Sequence, residues 1–227
     1  TTRPLRLRTI ADTLAGSVIK RIAQGREDGV AVIAEGVVLD IDPQDLDQVR
    51  DVERDAHGHV RISEIDIGGI LKRAVTARLE ELGIKRTIVS KNIGYELRSA
   101  DPIPYDMEYT RDLGYCAAKY LLEGGNAVLV SMQAGNFVPV PFADLYAPET
   151  GRTRVRLVNI HSTRYAIARR YMIRISRTDF ANGAEVDKMA AVVKMSPEEF
   201  RRQFEYLVQD EPPPLFLELV PEAGRTG

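Results

Sequence analysis

The run DTLAGSVIKRIAQGREDGVAVIAEG, residues 12–36, decides how the fold is read. With Ile10 just before it, Leu14, Val18, Ile19 and Ile22 recur at helical spacing, while Lys20, Arg21, Gln24 and Arg26 fill the rest of the wheel. The spacing predicts an amphipathic helix ending near Gly25. Residues 30–34, Val-Ala-Val-Ile-Ala, then make a short apolar, β-branched run, the pattern of a strand buried on both faces. The run closes on Glu35-Gly36. A carboxylate at the C-terminal end of a strand stands where open α/β sheets meet their ligands, and it can accept from a ligand hydroxyl. A solvated turn residue is the competing reading of Glu35.

The same alternation continues outward. Ile67, Ile70, Leu71, Ala74, Val75, Arg78 and Leu79 predict a helix stopped by Gly83 as the residue after its cap. Residues 87–93 read as the next strand. Asp106 is the expected N-cap of a helix through Glu123, with Leu113, Ala117, Tyr120 and Leu121 inward and Gly124-Gly125 as its end. Residues 127–132 read as a strand, and 137–142, carrying Pro139 and Pro141, as no more than an edge strand. Residues 154–160 alternate charge with Val155, Leu157 and Ile160, a half-buried strand; 162–173 read as a helix. Repeated helix-then-strand order argues an α/β fold with parallel crossovers. Residues 40–58 look like a polar surface excursion. His57 and His59 in it lack a third metal ligand and are expected in an exposed turn. From about residue 181 the character changes: 197–208 form an amphipathic helix on Phe200, Phe204 and Leu207, and the Pro- and Gly-bearing tail is expected to fray.

The bulk numbers narrow the function classes. The chain has 227 residues, 44% hydrophobic and 28% charged, ordinary for a globular protein of one large or two small domains. A formal net charge of −2 offers no basic field for nucleic acid or an anionic membrane, so neither is an expected partner. No apolar run approaches the roughly 20 residues that span a bilayer. Cys116, the one cysteine, fits a reducing compartment, and the expected location is cytoplasmic. The chain opens Thr-Thr-Arg-Pro rather than with Met, so a processed or longer polypeptide is expected. GxGxxG, Walker and GxSxG patterns and metal-ligand clusters are missing from the sequence. Arg152, Arg154, Arg156, Arg164, Arg169, Arg170 and Arg174 gather seven guanidinium groups, suited to an anion or an acidic partner surface, with a solvated surface as the plainer reading.

The stretch with the most chemistry is GYELRSADPIPYDMEYTRDLG, residues 94–114. Tyr95 and Arg98 follow directly on the strand-like 87–93. A guanidinium there can fork two phosphate oxygens, and a neighbouring phenol can add a hydrogen bond. Pro102 and Pro104 prevent the segment from continuing as helix or strand. The competing reading is a polar crossover loop whose Arg98 pairs with Asp101 or Asp106.

At this block the sequence resembles the phosphofructokinase family, and most closely its pyrophosphate-dependent branch. Gly94-Tyr95-Glu96-Leu97-Arg98 matches the Gly-Tyr-x-x-Arg block that stands in place of Gly-His-x-x-Arg-Gly-Gly in the ATP enzymes. Residues 12–36, YTRDLGY, TGRTRVRLV and YMIR follow in the family's order, over most of residues 1–180. The resemblance implies doubly wound, mostly parallel sheets, incomplete in this chain. It implies that Glu35 hydrogen-bonds the sugar of fructose 6-phosphate and that Tyr95 and Arg98 grip its phosphate, with Glu96 and Leu97 inside the same binding segment. Arg86 and Lys91 lie near the place of a family arginine supplied by a neighbouring subunit, but their spacing differs and neither takes that role.

The donor half of the family pattern is missing: the Gly-rich phosphate loop, the Thr-Ile-Asp-x-Asp segment with the general base, and the magnesium-binding aspartate. The resemblance therefore implies a C-terminal half that positions the acceptor, with no catalytic residue and no metal ligand of its own. Its parent would move a phosphoryl group from diphosphate to the 1-hydroxyl of fructose 6-phosphate with Mg2+, in glycolysis, as a homo-oligomer (dimer or tetramer). Residues 1–95 would belong to a second, sugar-phosphate α/β domain, 96–160 to a return segment of the first, and 161–227 to a C-terminal helical region and tail. A non-catalytic subunit that senses a sugar phosphate is the alternative.

Overall fold

Helix α1 (Leu7–Ala23) forms where the apolar spacing predicts it, in a computed structural model that describes residues 4–47, 65–147, 152–153 and 158–210. Gly25 ends it at φ 75°, with the Arg26 N–H on the Arg21 carbonyl at 2.9 Å. A left-handed glycine lets the chain turn off the helix while its last carbonyls stay bonded. A 3-10 turn (Glu35–Asp40) and the short α2 (Pro43–Asp47) follow. Helix α3 (Ile67–Glu81) starts at Asp66, whose carboxylate accepts the Gly69 N–H at 2.9 Å. It stops as α1 does, on Gly83 at φ 74° with the Ile84 N–H on the Leu79 carbonyl at 2.8 Å. These helices and the C-terminal segment form one compact unit, Thr1–Asn92 with His161–Gly227, and Ile93–Ile160 forms another.

The first unit is centred on α1, α3 and the C-terminal helices. In the unit 93–160, described below, come α4 (Gly94–Arg98), α5 (Pro104–Leu122) and β1 to β4; the chain then continues through α6 (Thr163–Arg170), α7 (Arg177–Ala181), α8 (Gly183–Val192) and α9 (Pro197–Phe204). Ala15, Ile19, Leu79, Val186, Met189, Ala190, Phe200 and Phe204 are the most deeply buried apolar side chains of the first unit. The Phe200 and Phe204 rings lie 4.9 Å apart between centroids. Lys20 holds the incoming end of α7, with Nζ 2.7 Å from an Asp179 oxygen and 3.0 Å from the Arg174 carbonyl. The predicted helix 197–208 divides into α9 and a 3-10 turn, Glu205–Val208.

A smaller cluster, Val38, Ile41, Leu46, Ile65 and Ile70, shows that within 40–47, the described part of the predicted surface excursion 40–58, Ile41 and Leu46 are buried. Its beginning is anchored: Arg6 pairs with Asp45 at 2.6 Å, and Leu5 makes a parallel bridge to Ile41. His57 and His59 lie outside the described residues.

The largest departure from expectation concerns the two predicted strands of this unit. Residues 26–34 and 84–93 take no regular secondary structure and join no sheet. Val30 is 95% exposed and Val32 77%, although their run reads as buried, and Val89 in the second run is 78% exposed. An apolar β-branched run records what a segment will bury, whereas a strand needs a neighbour to take its N–H and C=O groups. Among the described residues no neighbour is supplied.

In the unit 93–160, α5 begins at Pro104, two residues before the predicted cap. Asp106 still caps it, from inside the first turn, by accepting the Ile103 N–H at 3.0 Å. Gly124 at φ 84° ends α5 in the manner of Gly25 and Gly83. Strand β1 (Val128–Gln133) then pairs antiparallel with β2 (Asn136–Pro141), in register from Val128 opposite Pro141 to Gln133 opposite Asn136. Ala134 and Gly135 both take positive φ, as a tight two-residue hairpin loop requires. Pro139 and Pro141 are tolerated because a two-stranded ribbon is all edge. Strands β3 (Tyr146–Ala147) and β4 (Arg152–Thr153) make a second antiparallel pair. Helix α5 packs on β1, with the Tyr120 ring edge-on to Phe137 at 5.8 Å. Residues 154–157 of the predicted strand 154–160 lie outside the described residues, and 158–160 form no strand.

Candidate functional site

Gly94 to Arg98 is a single helical turn rather than a loop. Ile93 precedes it at φ −112°, its carbonyl takes the Leu97 N–H at 3.0 Å, and the Ser99 N–H closes the turn on the Tyr95 carbonyl at 2.9 Å. Helical spacing puts Tyr95 and Arg98, three residues apart, on one face of the turn, with Cβ atoms roughly 5–6 Å apart. The five residues Gly94 to Arg98 are all exposed, Tyr95 at 82% and Leu97 at 69%. A Cβ added at Gly94 would lie 3.8 Å from an Arg98 Nη, so the guanidinium folds back over the start of the turn.

The competing reading of Arg98 as a loop ion pair is not what the geometry shows. Asp106 is engaged with the Ile103 amide, and Arg98 makes no ion pair with Asp101 or Asp106. Tyr95 and Arg98 form no side-chain hydrogen bond to other described residues. Chemically the turn presents a phenol and a planar five-donor cation to solvent. That combination can bracket a phosphate, the guanidinium by a bidentate fork and the phenol by one donated hydrogen bond.

Glu35 opens the 3-10 turn that follows residues 26–34, with its side chain exposed. It lies in the first unit, whereas Tyr95, Glu96, Leu97 and Arg98 lie in the second. Arg86 pairs with Glu27 at 3.5 Å, so the two irregular segments that follow α1 and α3 are linked through charged side chains. Of the arginine group, Arg164 and Arg170 are exposed and Arg169 and Arg174 half-buried, while the side chains of Arg152, Arg154 and Arg156 lie outside the described residues. Among the described residues, no three His, Cys, Asp or Glu side chains converge to hold a metal ion. No helix among them is long and apolar enough to cross a membrane.

Sequence reasoning missed a polar cluster inside the first unit. Asp12 and Arg78 are both buried, with Arg78 Nε 2.5 Å from Asp12 Oδ1. Tyr206 donates its hydroxyl to Asp12 Oδ2 at 2.7 Å, and Arg78 also reaches Gln203 at 2.8 Å and Glu81 at 3.0 Å. Burial first, then the Asp12 hydrogen bond and charge, push the Tyr206 phenol up to about 12. The signal was present: Arg78 sits on the apolar stripe of α3 and Asp12 on that of α1.

The comparisons with known proteins agree with the block at residues 94–114. The chain is 41% identical over 203 residues to a pyrophosphate–fructose 6-phosphate 1-phosphotransferase of Naegleria fowleri, covering 88% of this chain. It is 44% identical over 206 residues to the protein of the same name from Thermotoga maritima, covering 87%. The chain belongs to the phosphofructokinase family. It is also 29% identical over 126 residues to an ATP-dependent 6-phosphofructokinase of Amycolatopsis methanolica, covering 55% of this chain. No family model matches it. The chain spans about half the length of the two phosphotransferases, 46% and 48%.

Proposed function

We propose that the protein carrying this chain transfers a phosphoryl group from diphosphate to the 1-hydroxyl of fructose 6-phosphate, and that this chain positions the acceptor. The observation that carries the reading is the solvent-facing turn on which Tyr95 and Arg98 share a face without partners among the described residues. Two relatives named for this reaction support it over nearly nine-tenths of the chain. Arg98 forks the sugar phosphate and Tyr95 donates to it; Glu96 and Leu97 belong to the same binding turn, and Glu35 accepts from a sugar hydroxyl.

Phosphoryl transfer also requires a metal to neutralise charge and a base to activate the hydroxyl. The Mg2+ ligands and the base belong, on this reading, to the family's donor half, whose motifs this sequence lacks. The reaction belongs to glycolysis in the cytoplasm, and a homo-oligomer is the expected form. The repeated unit of helix, left-handed glycine and β-branched run supports a doubly wound, mostly parallel sheet in the whole protein. On that reading 30–34 and 87–93 are two of its strands, and residues 1–95 and 96–160 belong to different α/β domains.

The test is Arg98→Ala in the full-length protein. Loss of a charged hydrogen-bond pair costs about 2–3 kcal/mol, so the KM for fructose 6-phosphate rises by roughly 30- to 150-fold. The diphosphate KM stays near its original value. An equal rise in both constants removes Arg98 from the acceptor site.

A further inference from the structure

Glu35, the expected sugar contact of the first unit, opens a 3-10 turn of six residues, Glu35–Asp40. Such turns seldom run beyond about three or four residues, because their hydrogen bonds are poorly aligned. A turn of this length needs support from outside, and residues 26–34 before it join no sheet. The support comes from its far end. Val38 is 3% exposed, packed with Ile41, Leu46, Ile65 and Ile70. The Leu5 N–H donates to the Asp40 carbonyl at 2.7 Å, and the Asp42 N–H to the Leu5 carbonyl at 2.9 Å. The chain entering α1 thus clasps the chain leaving the turn.

One charged pair closes this clasp. Arg6 forks Asp45, Nε to Oδ2 at 3.0 Å and Nη2 to Oδ1 at 2.6 Å, and its Nη1 reaches Asp42 at 3.4 Å. Asp45 Oδ2 also accepts the Leu7 N–H at 2.8 Å. Leu7 is the first residue of α1; Arg6 at the cap position makes no side-chain capping bond, and the first turn holds no acid. Asp45 therefore caps α1 from α2, where its charge also meets the positive end of the helix dipole. The Asp45 side chain is 10% exposed and that of Arg6 53%, so the carboxylate is withdrawn from water while the guanidinium stays half in it. A bidentate fork adds geometric definition as well as energy.

We propose that Arg6 and Asp45 are positioning residues for the acceptor: their fork fixes the 3-10 turn at its end, and with it the point from which Glu35 reaches a sugar hydroxyl. At about 2.0 Å per residue, Glu35 stands about 10 Å from Asp40. Loosening that end displaces the carboxylate, and a misplacement of about 1 Å can cost up to about 100-fold. The effect on the sugar rests on the reading of Glu35 as its hydroxyl partner; the effect on the turn does not.

The experiment uses the full-length protein with Arg6→Gln, which removes the fork from a half-exposed position, and separately with Asp45→Asn, which keeps the volume and an oxygen for the Leu7 amide. Hydrogen exchange, read by mass spectrometry on peptides covering 35–47 and 67–81, reports the turn and, as a control, α3. In both variants exchange in 35–47 is expected to quicken about tenfold while 67–81 holds. The fructose 6-phosphate KM rises about three- to tenfold, with kcat and the diphosphate KM near their original values. In a Glu35→Gln background, which already lacks the carboxylate, Arg6→Gln adds little. Unchanged exchange in 35–47 overturns the proposal whatever the kinetics. Faster exchange with an unchanged fructose 6-phosphate KM, where Glu35→Gln raises it, also overturns it, because residues before Glu35 then hold it in place. So does an Arg6→Gln effect that is as large with Glu35→Gln as without it. If Glu35→Gln alone leaves that KM unchanged, the reading of Glu35 falls, and faster exchange still upholds the anchoring of the turn.

Discussion

Asp12 holds Arg78 with one carboxylate oxygen and Tyr206 with the other, at 2.5 Å and 2.7 Å. Arg8 also approaches that second oxygen, at 3.2 Å. One buried side chain thereby joins α1, α3 and the 3-10 turn that follows α9. Truncating it takes away the buried one of Arg78's two carboxylate partners and leaves only the half-exposed Glu81, at 3.0 Å, which costs about 3 kcal/mol. Asp12→Ala should therefore lower the denaturation midpoint severely, and a paired apolar replacement of Asp12 and Arg78 far less. A loss under about 1 kcal/mol for the single variant would show that Arg78 finds water when Asp12 is gone.

Tyr206 makes a pH prediction with a definite sign. Its phenol is raised from 10.0 to about 12 in the folded protein, by burial and then by Asp12. The unfolded chain releases the proton near pH 10 and the folded chain holds it until about pH 12. The stabilisation is thus fully present below pH 10 and disappears as the pH rises from 10 to about 12. Tyr206 is 39% exposed, so solvent screens much of the effect. Denaturation midpoints measured across that window should fall less steeply for Tyr206→Phe than for the unsubstituted protein. Parallel slopes would mean that the phenol ionises freely.

Gly16 marks a close approach rather than a flexible point. A Cβ there would lie 2.7 Å from Ile175 Cδ1, inside any real contact. Gly16→Ala gains about 1 kcal/mol of helix propensity but overpacks a buried site by about 1–3 kcal/mol. The expected result is a net loss, reversed by Ile175→Val, which removes the opposing methyl. If the second substitution makes matters worse, the clash lies elsewhere.

The sequence was most legible where a helix carries its own instructions. Apolar spacing and a terminal glycine placed α1, α3 and α5, because both signals act within one element. It was least legible where the partner lies far away in the chain. Residues 30–34 and 87–93 have strand composition, yet composition cannot say what lies beside them. Asp12, Arg78 and Tyr206 meet across 66 and 194 residues, beyond any local pattern. The Tyr95–Arg98 turn was legible through its motif, and its shared face required only the helical turn that the structure adds.

The exposed valines separate two accounts of the irregular segments. If 87–93 is a strand of a larger parallel sheet, Val89 is buried in the full-length protein although it is 78% exposed in this chain. Val89→Lys then has opposite consequences in the two settings. In the isolated chain it is a surface change, within about 0.5 kcal/mol, and it should reduce aggregation by breaking an apolar edge. In the full-length protein it places a charge between sheet and helix, where an unpaired ammonium costs several kcal/mol and the fold is lost or its pKa collapses. Thermal unfolding of both forms, with light scattering on the isolated chain, reads the contrast. Equal tolerance in the two would mean that 87–93 stays solvent-facing in the whole protein, and the doubly wound sheet would have to be built without it.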